Sequence, residues 1–234
     1  MIETADYPAG GLICQASVAR PEGAGPFPAV MIAPTIRGPS ALERQVAERL
    51  AGLGYMAVLI DVYGKEQQDL APDQARAQMD ALLADRALLR ARLLAALAFV
   101  QGLDGVDPAR IAVIGYCFGG LCALDIARTG TDAILGAVSL HGVFAPPGLG
   151  PQAPITAKLL VLHGWDDPLA TPDDVLCLTR ELTGAGADWQ LHAYGHVGHA
   201  FTNPAASSPG LAYDAAADRR SFAALTGFLA EIFA

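Results

Sequence analysis

The stretch IAVIGYCFGGLCALDIA, residues 111–127, places a cysteine between two apolar segments. Residues 111–115 are apolar or small, which is typical of a buried strand, and the residues after Gly120 repeat apolar side chains at helical spacing. Cys117 therefore lies on a tight turn between a strand and a helix, surrounded by small residues. What this cysteine does depends on which other groups in the chain can reach its sulfur.

The composition argues against several classes of partner. The 234 residues suffice for one large domain or two small ones, and for a substantial core. The net charge is −9, so we expect no nucleic acid and no anionic membrane as a partner, because both require a basic patch. Residues 1–11, MIETADYPAGG, lack the basic flank and apolar stretch of a secretory signal, and we expect a cytoplasmic protein.

The four cysteines form no C-x-x-C pair and no zinc-finger spacing, so we expect reduced thiols and no metal site. Cys14, Cys122 and Cys177 lie in apolar patterns and are expected in the core. The same structural role is the alternative for Cys117, because free cysteines are often small buried residues.

Strand-like segments alternate with helical segments along the chain. The central strand-like runs are apolar on successive residues, as expected for parallel strands that are covered on both faces. We therefore predict a single α/β domain over residues 1–234, whose first helix begins with the capping signature of Ser40 and Glu43. The predicted strands are residues 11–19, 27–33, 56–63, 110–116, 133–142, 158–164 and 189–195, and the predicted helices are residues 40–53, 72–102 with a break, 119–129, 172–184 and 214–233.

Polar residues follow many of the predicted strands. Ligand sites in open α/β sheets lie at the carboxyl ends of the strands, so a thiol, carboxylates and imidazoles are expected at one edge. His141 and His163 belong to this set, and we expect each to be a hydrogen-bonded packing residue. The segments concerned are residues 35–38, 61–64, 116–118, 141–142, 164–167 and 195–199.

The segment GYCFGG, residues 115–120, has the form of a nucleophile elbow, with cysteine in the place where serine is commoner. Its glycines allow the strand and the helix to approach closely, and the N-terminus of the helix favours a thiolate. The backbone N–H of Phe118 is then expected to stabilise an oxyanion, and Ile36 is the expected second donor.

A thiol nucleophile needs a base, and the base needs a group that orients it. Asp166 and Asp167 follow one predicted strand, and His196 and His199 follow the next. The order Cys, Asp, His is the chain order of α/β-hydrolase triads. Position along the chain leaves both aspartates and both histidines as candidates.

Three motifs together resemble dienelactone hydrolases (carboxymethylenebutenolidases) of the α/β-hydrolase superfamily, and the resemblance extends along almost the whole chain. They are GYCFGG at 115–120, HGWDDP at 163–168 and GHAFTNP at 198–204, with GYMAVLIDVYG at 54–64 in support. The resemblance implies the α/β-hydrolase fold, with a mostly parallel sheet and helices on both faces. It also implies Cys117 as the nucleophile, Asp167 as the orienting acid and His199 as the base.

The family pattern also separates the rival residues. Its G-x-x-D spacing from Gly164 selects Asp167 and leaves Asp166 as a residue that braces the loop. The GHAF context selects His199 and leaves His196 as a solvated or bracing histidine. The resemblance implies no metal and no organic cofactor.

Two positions depart from the family pattern. Thr35 occupies the place of a family glutamate that helps to deprotonate the thiol, so Cys117 must rely on the imidazole and the helix dipole, or on a different trigger. Asn203 occupies the place of an arginine that binds the substrate carboxylate. Arg37 is a candidate replacement for that arginine, or else a surface residue. The further candidates for substrate binding are Thr35, Tyr63 and Asn203.

We therefore expect a cysteine-dependent hydrolase of small-molecule esters or lactones that acts through a thioester acyl-enzyme, as a monomer or homodimer. The alternative is a catalytically weak hydrolase-fold protein that binds a small ligand or partner, and a redox-sensing thiol at Cys117 is a third hypothesis. Residues 65–90 are expected to include a helix whose side chains fit either the edge of a pocket or a solvated face.

Overall fold

The computed structural model describes residues 2–68 and 70–234. Met1 and Asp69, which belong to the segments 1–11 and 65–90 considered above, lie outside the described residues. The strands are β1 Ile2–Ala9, β2 Leu12–Ala19, β3 Phe27–Ala33, β4 Met56–Leu59, β5 Val106–Tyr116, β6 Gly136–Leu140, β7 Lys158–Gly164, β8 Trp189–Tyr194, β9 Ser207–Ser208 and β10 Leu211–Ala212. The α-helices are α1 Ala41–Ala51, α2 Pro72–Ala84, α3 Arg86–Gln101, α4 Phe118–Arg128, α5 Pro172–Gly184 and α6 Ala215–Ile232.

Eight of the strands form a sheet in the order β1-β2-β4-β3-β5-β6-β7-β8. The pairs β3/β4, β6/β7 and β7/β8 are parallel, whereas β1/β2 and β2/β4 are antiparallel. The predicted α/β-hydrolase fold with a mostly parallel sheet is therefore confirmed. The part of the chain that the structure describes contains no helix long and apolar enough to cross a membrane.

Strand β1 was not predicted from the sequence. It lies at one end of the strand order and pairs with β2 alone. Only Tyr7 and Ala9 of this strand are buried, and Glu3 and Asp6 are exposed. An edge strand of this kind lacks the apolar run that identifies the central strands, because it has little core to contact.

The chain divides into two compact units. Unit 1 consists of Met1–Val113 and Pro147–Gly150, and unit 2 consists of Ile114–Pro146 and Pro151–Ala234. The expectation of a single domain over residues 1–234 stays a prediction.

The helices of unit 1 begin where local capping predicts. Ser40 caps α1 by accepting a hydrogen bond from the Leu42 N–H at 3.2 Å. Asp85 separates α2 from α3, and its carboxylate accepts the Leu88 N–H at 2.9 Å. The predicted start of the first helix and the break in the second helical segment are both confirmed. Helix α2 buries only Ala75 and Leu82, so most of its surface is solvated or half-buried.

In unit 2, helix α4 is buried along its whole length and packs against β6. Glycine is required where the helix meets the strand. A Cβ atom at Gly120 would lie 2.6 Å from Ser139 Oγ and 2.7 Å from Gly142 Cα, and the second of these is backbone that cannot rotate away. The close approach expected of the elbow glycines is therefore present.

A fully buried arginine joins α4 to the rest of unit 2. The guanidinium of Arg128 makes an ion pair with Asp125 at 3.2 Å and a two-pronged pair with Glu181 at 2.7 and 2.8 Å. It also donates to the carbonyl oxygens of Phe144, at 3.0 Å, and Ala145, at 3.3 Å. The helix that follows the elbow is thereby tied to α5 and to the segment after β6.

Replacing Arg128 by methionine should lower the free energy of unfolding by about 3–5 kcal/mol, because it leaves the buried carboxylate of Asp125 and the partly buried carboxylate of Glu181 without their partner. Urea denaturation of the purified variant measures this. The control is Arg110→Met, which removes an ion pair with Asp107 whose side chains are 38% and 24% exposed. That pair should contribute no more than about 1 kcal/mol. Equal losses in the two variants would contradict the role assigned to Arg128.

Candidate active site

Cys117 lies between β5 and α4 in a backbone conformation that side chains rarely adopt, with φ 57° and ψ −118°. Hydrogen bonds hold this conformation from both sides. The Cys117 N–H donates to Leu140 O at 3.0 Å, and its carbonyl oxygen accepts the Gly120 N–H at 3.0 Å. Such strain is concentrated at functional sites, where the surrounding structure maintains it.

The four cysteines differ in exposure. Cys117 is half-buried, whereas Cys14 and Cys122 are buried as expected. Cys177 is exposed, so its predicted place in the core is wrong. The buried face of α5 is formed by Val175, Leu178 and Leu182, and Cys177 lies on a different side of the helix.

The imidazole of His199 makes a short hydrogen bond to a carboxylate. His199 Nδ1 lies 2.7 Å from Asp167 Oδ2, and both side chains are almost wholly buried. The other carboxylate oxygen, Asp167 Oδ1, accepts the Leu169 N–H at 2.8 Å. When Nδ1 carries a proton, the Nδ1–H donates a hydrogen bond to Asp167, and the second ring nitrogen, Nε2, takes no part in this pair. In the described part of the chain His199 Nε2 has no hydrogen-bond partner.

The charge state of His199 is set by its neighbours. Burial by itself would lower the pKa of His199, but the hydrogen bond to Asp167, the nearby Cys117 thiol and the negative charges of these two groups raise the pKa to about 9. The thiol is therefore close enough to act on the imidazole. A pKa of about 9 means that the ring is protonated at neutral pH.

The rival acid and the rival base lie at the surface of unit 2. His196 is fully exposed, and its Nδ1 lies 3.8 Å from a carboxylate oxygen of Asp166, whose side chain is 56% exposed. The Asp166 N–H donates to Val197 O at 2.9 Å, which braces the loop. All four residues belong to unit 2. The structure pairs Asp167 with His199 in its interior, and Asp166 with His196 at its surface.

Two further histidines are buried. His141 Nε2 lies 2.9 Å from Thr202 Oγ1, which confirms the expected hydrogen-bonded packing residue. For His163 that prediction is wrong, because neither ring nitrogen has a hydrogen-bond partner among the described residues. The ring of His163 instead packs near Phe144 and Trp165, with centroids 5.4 and 6.4 Å away. Burial lowers the pKa of both histidines, so both rings are neutral at neutral pH.

Within unit 1, a buried carboxylate holds the turn that contains the expected oxyanion donor. Glu43 Oε1 accepts the Thr35 N–H at 3.1 Å, and its other oxygen accepts the Ser40 hydroxyl. Tyr63 is buried, and its hydroxyl donates to Ile36 O at 3.1 Å. The capping signature identified Glu43 from the sequence, but its bond to Thr35 was not predicted, because that contact depends on how the turn folds back.

Comparison with known proteins identifies the family. The family model of the Dienelactone hydrolase family matches residues 14–233. The chain belongs to the dienelactone hydrolase family. A probable 2-oxo-3-(5-oxofuran-2-ylidene)propanoate lactonase of a Bradyrhizobium species is 30% identical over 199 residues, which cover 80% of this chain and 78% of the relative. Carboxymethylenebutenolidase 1 of Cupriavidus pinatubonensis is 30% identical over 189 residues, covering 78% and 77%.

A solved structure agrees with this family over the full length. It is a dienelactone hydrolase-like promiscuous phosphotriesterase from metagenomic libraries, with a TM-score of 0.93 and 33% identity, covering 100% of this chain and 99% of that chain. The resemblance inferred from the three motifs is confirmed. The family and its carboxymethylenebutenolidase members indicate that the chain is an ester or lactone hydrolase.

The other family-based expectations concern substrate binding and stay predictions. Arg37 is exposed. Asn203 is half-buried, and its Oδ1 accepts the Ala205 N–H at 3.0 Å, so the side chain closes a local turn. No group of three or more His, Cys, Asp or Glu residues in segments 2–68 and 70–234 is arranged to hold a metal ion.

Replacing Asp167 by asparagine should lower the pKa of His199 from about 9 toward the ordinary value of 6.5 or below. The amide still occupies the position but brings no negative charge to stabilise the imidazolium. Titration of the histidine ring protons by NMR measures this, and Asp166→Asn is the matched control that should leave the pKa near 9. A raised pKa that survives in the Asp167 variant, or is lost in the control, would contradict the pairing.

Proposed function

We propose that the chain hydrolyses esters or lactones through a Cys117–His199–Asp167 triad and a thioester acyl-enzyme. The observation that supports this most directly is the buried hydrogen bond of 2.7 Å between His199 Nδ1 and Asp167 Oδ2. It leaves His199 Nε2 for the thiol, which is near enough to raise the imidazole pKa.

In the acylation step the Cys117 thiolate attacks the carbonyl carbon and a tetrahedral oxyanion forms. The Phe118 N–H, at the N-terminus of α4, is the first proposed donor to this oxyanion, and the Ile36 N–H is the second. A donor of this kind contributes about 3–4 kcal/mol to the stabilisation of the transition state. The bond from Tyr63 to Ile36 O and the bond from Thr35 to Glu43 support the turn that contains the second donor.

The proton needed by the leaving group comes from His199. Its pKa of about 9 keeps the ring protonated at neutral pH, so the imidazolium can give a proton to the departing alkoxide. The neutral ring then accepts a proton from water, whose oxygen attacks the thioester and releases the acid and the thiolate. Asp167 accepts the hydrogen bond from Nδ1 and stabilises the imidazolium.

The proposed substrates are small-molecule esters and lactones. Two relatives at 30% identity are named a lactonase and a carboxymethylenebutenolidase, which supports an activated enol lactone as a substrate. Thr35 cannot take up a proton at neutral pH, so the thiol must be activated by His199 and by the dipole of α4. Cytoplasmic location and a monomeric or homodimeric state stay predictions.

Neutral phosphate triesters are a second proposed substrate class. The solved structure that is 33% identical over the full length is named a promiscuous phosphotriesterase, and this supports the proposal. The Cys117 thiolate would attack phosphorus, forming a sulfur–phosphorus bond while the aryloxide leaves with its electron pair. A water molecule activated by the same imidazole would then displace the thiolate from phosphorus.

The alternative is a protein that binds a ligand without useful turnover. The threonine at position 35 favours it, because the family glutamate is missing. The buried pairing of His199 with Asp167 argues against it, because a binding site has no need for an oriented base beside a strained cysteine.

The variant Cys117→Ala should lose at least about 1,000-fold in kcat for a p-nitrophenyl ester, because it removes the nucleophile. A p-nitrophenyl dialkyl phosphate tests the second substrate class in the same assay, and its turnover should fall equally. Cys177→Ala is the matched control, since this exposed thiol lies on α5, and it should keep full activity. Turnover that survives in the Cys117 variant would remove the cysteine from the mechanism.

The pH dependence should differ between two kinds of ester. An alkyl ester needs a proton on its leaving group, so kcat/KM should fall as the pH rises through about 9 and His199 loses its proton. An aryl ester with an acidic phenol needs no such proton and should show a flatter alkaline limb. Initial rates across a pH series on both sides of pH 9 measure this. Identical alkaline limbs for the two esters would contradict the role of the imidazolium.

A further inference from the structure

His141 is held in an unusual backbone conformation directly after β6. Its φ is +36°, in the left-handed region that residues other than glycine seldom adopt. The His141 N–H donates to Leu162 O at 2.8 Å, so the backbone is fixed against β7. A residue held this firmly presents its ring in a defined place.

The ring of His141 contacts the ring of the proposed base. The His141 and His199 centroids are 5.0 Å apart at an interplanar angle of 66°, and the His141 and Phe201 centroids are 5.0 Å apart at 82°. Both contacts are edge-to-face, the favourable geometry for aromatic rings. His141 and Phe201 are buried, so these contacts restrict how far the His199 ring can turn.

The same side chain also holds the segment that contains His199. His141 Nε2 lies 2.9 Å from Thr202 Oγ1, and Thr202 follows His199 by three residues. Between them Ala200 has a φ of +59°, so this turn is strained and needs support. One imidazole thus contacts both the ring of His199 and a side chain of the segment that bears it.

We propose that His141 is a positioning residue, which keeps the His199 imidazole aligned with Asp167 through its ring contact and its hydrogen bond with Thr202. The inference rests on the proposed function of His199 as the base. In this proposal His141 acts through His199 and does not itself transfer the proton.

Electrostatics agree with this role. Four titratable groups act on or near His199: Cys117 and Asp167 favour its charged form, whereas a charge on His141 or His163 would oppose it. Burial, and then the positive charge of His199, lower the pKa of His141 well below 6.5. His141 therefore stays neutral while His199 is charged, and it can touch the imidazolium without repelling it.

The test uses two variants at Thr202 and one at His141. Thr202→Val is close to isosteric and removes the hydroxyl, whereas Thr202→Ser keeps a hydroxyl. His141→Phe keeps an aromatic ring but loses Nε2, the nitrogen that contacts Thr202. We expect kcat/KM to fall about 10- to 100-fold in Thr202→Val and in His141→Phe, with KM changed by less than about two-fold. Thr202→Ser should keep nearly full activity. The double variant Thr202→Val/His141→Phe should have a kcat/KM no lower than that of the less active single variant.

A second readout does not depend on catalysis. NMR titration of the histidine rings in each variant should show the pKa of His199 lowered from about 9 in Thr202→Val and in His141→Phe, and unchanged in the control His192→Gln, which alters an exposed ring of β8. A wild-type pKa and wild-type kcat/KM in both variants would overturn the proposal. A lower melting temperature with both quantities unchanged would also overturn it, since His141 would then be only a packing residue. If instead Cys117→Ala keeps its turnover while the His199 pKa still responds to Thr202→Val, the proposed function fails and the positioning of the ring stands.

Discussion

The hydrogen bond between His199 Nδ1 and Asp167 Oδ2 is the interaction on which the proposed chemistry depends. At 2.7 Å and out of contact with water, it fixes the ring orientation and places the ring proton on the side of the carboxylate. It also opposes the effect of burial, which would otherwise discharge the imidazole. Without this bond His199 would be another neutral buried histidine, like His141 and His163.

Unit 2 maintains this bond by holding strained backbone in place. Four residues other than glycine have a positive φ in the described part of the chain, namely Cys117, His141, His196 and Ala200, and all four lie in unit 2. Each costs of order 1–3 kcal/mol unless the surrounding structure compensates. The compensation comes from backbone hydrogen bonds between neighbouring strand ends and from the buried network of Arg128, which anchors the helix of the elbow. The strain is concentrated beside the proposed nucleophile and base.

Much of this arrangement could be predicted from the sequence, because the central strands are continuous apolar runs and the elbow glycines follow one of them. The choice between Asp166 and Asp167, and between His196 and His199, came from the family pattern. Hydrophobic periodicity could not make this choice, because in each pair one residue is exposed and the other is buried although they lie close together in the chain. The sequence could not predict strand β1, whose edge position leaves it polar, or the exposed face of α5 that bears Cys177. It also could not show that His163 has no hydrogen-bond partner among the described residues, or that His141 contacts His199, because both depend on packing between segments distant in the chain.

The most direct test of the account is to identify the atom that becomes acylated. The wild-type protein is mixed with an activated aryl ester, the reaction is stopped with acid, and the peptides are mapped by mass spectrometry. An acyl group should appear on the peptide that contains Cys117. It should form and disappear at rates at least as fast as the steady-state turnover. Rapid turnover with no acyl group on that peptide, or with the group on another residue, would contradict the account.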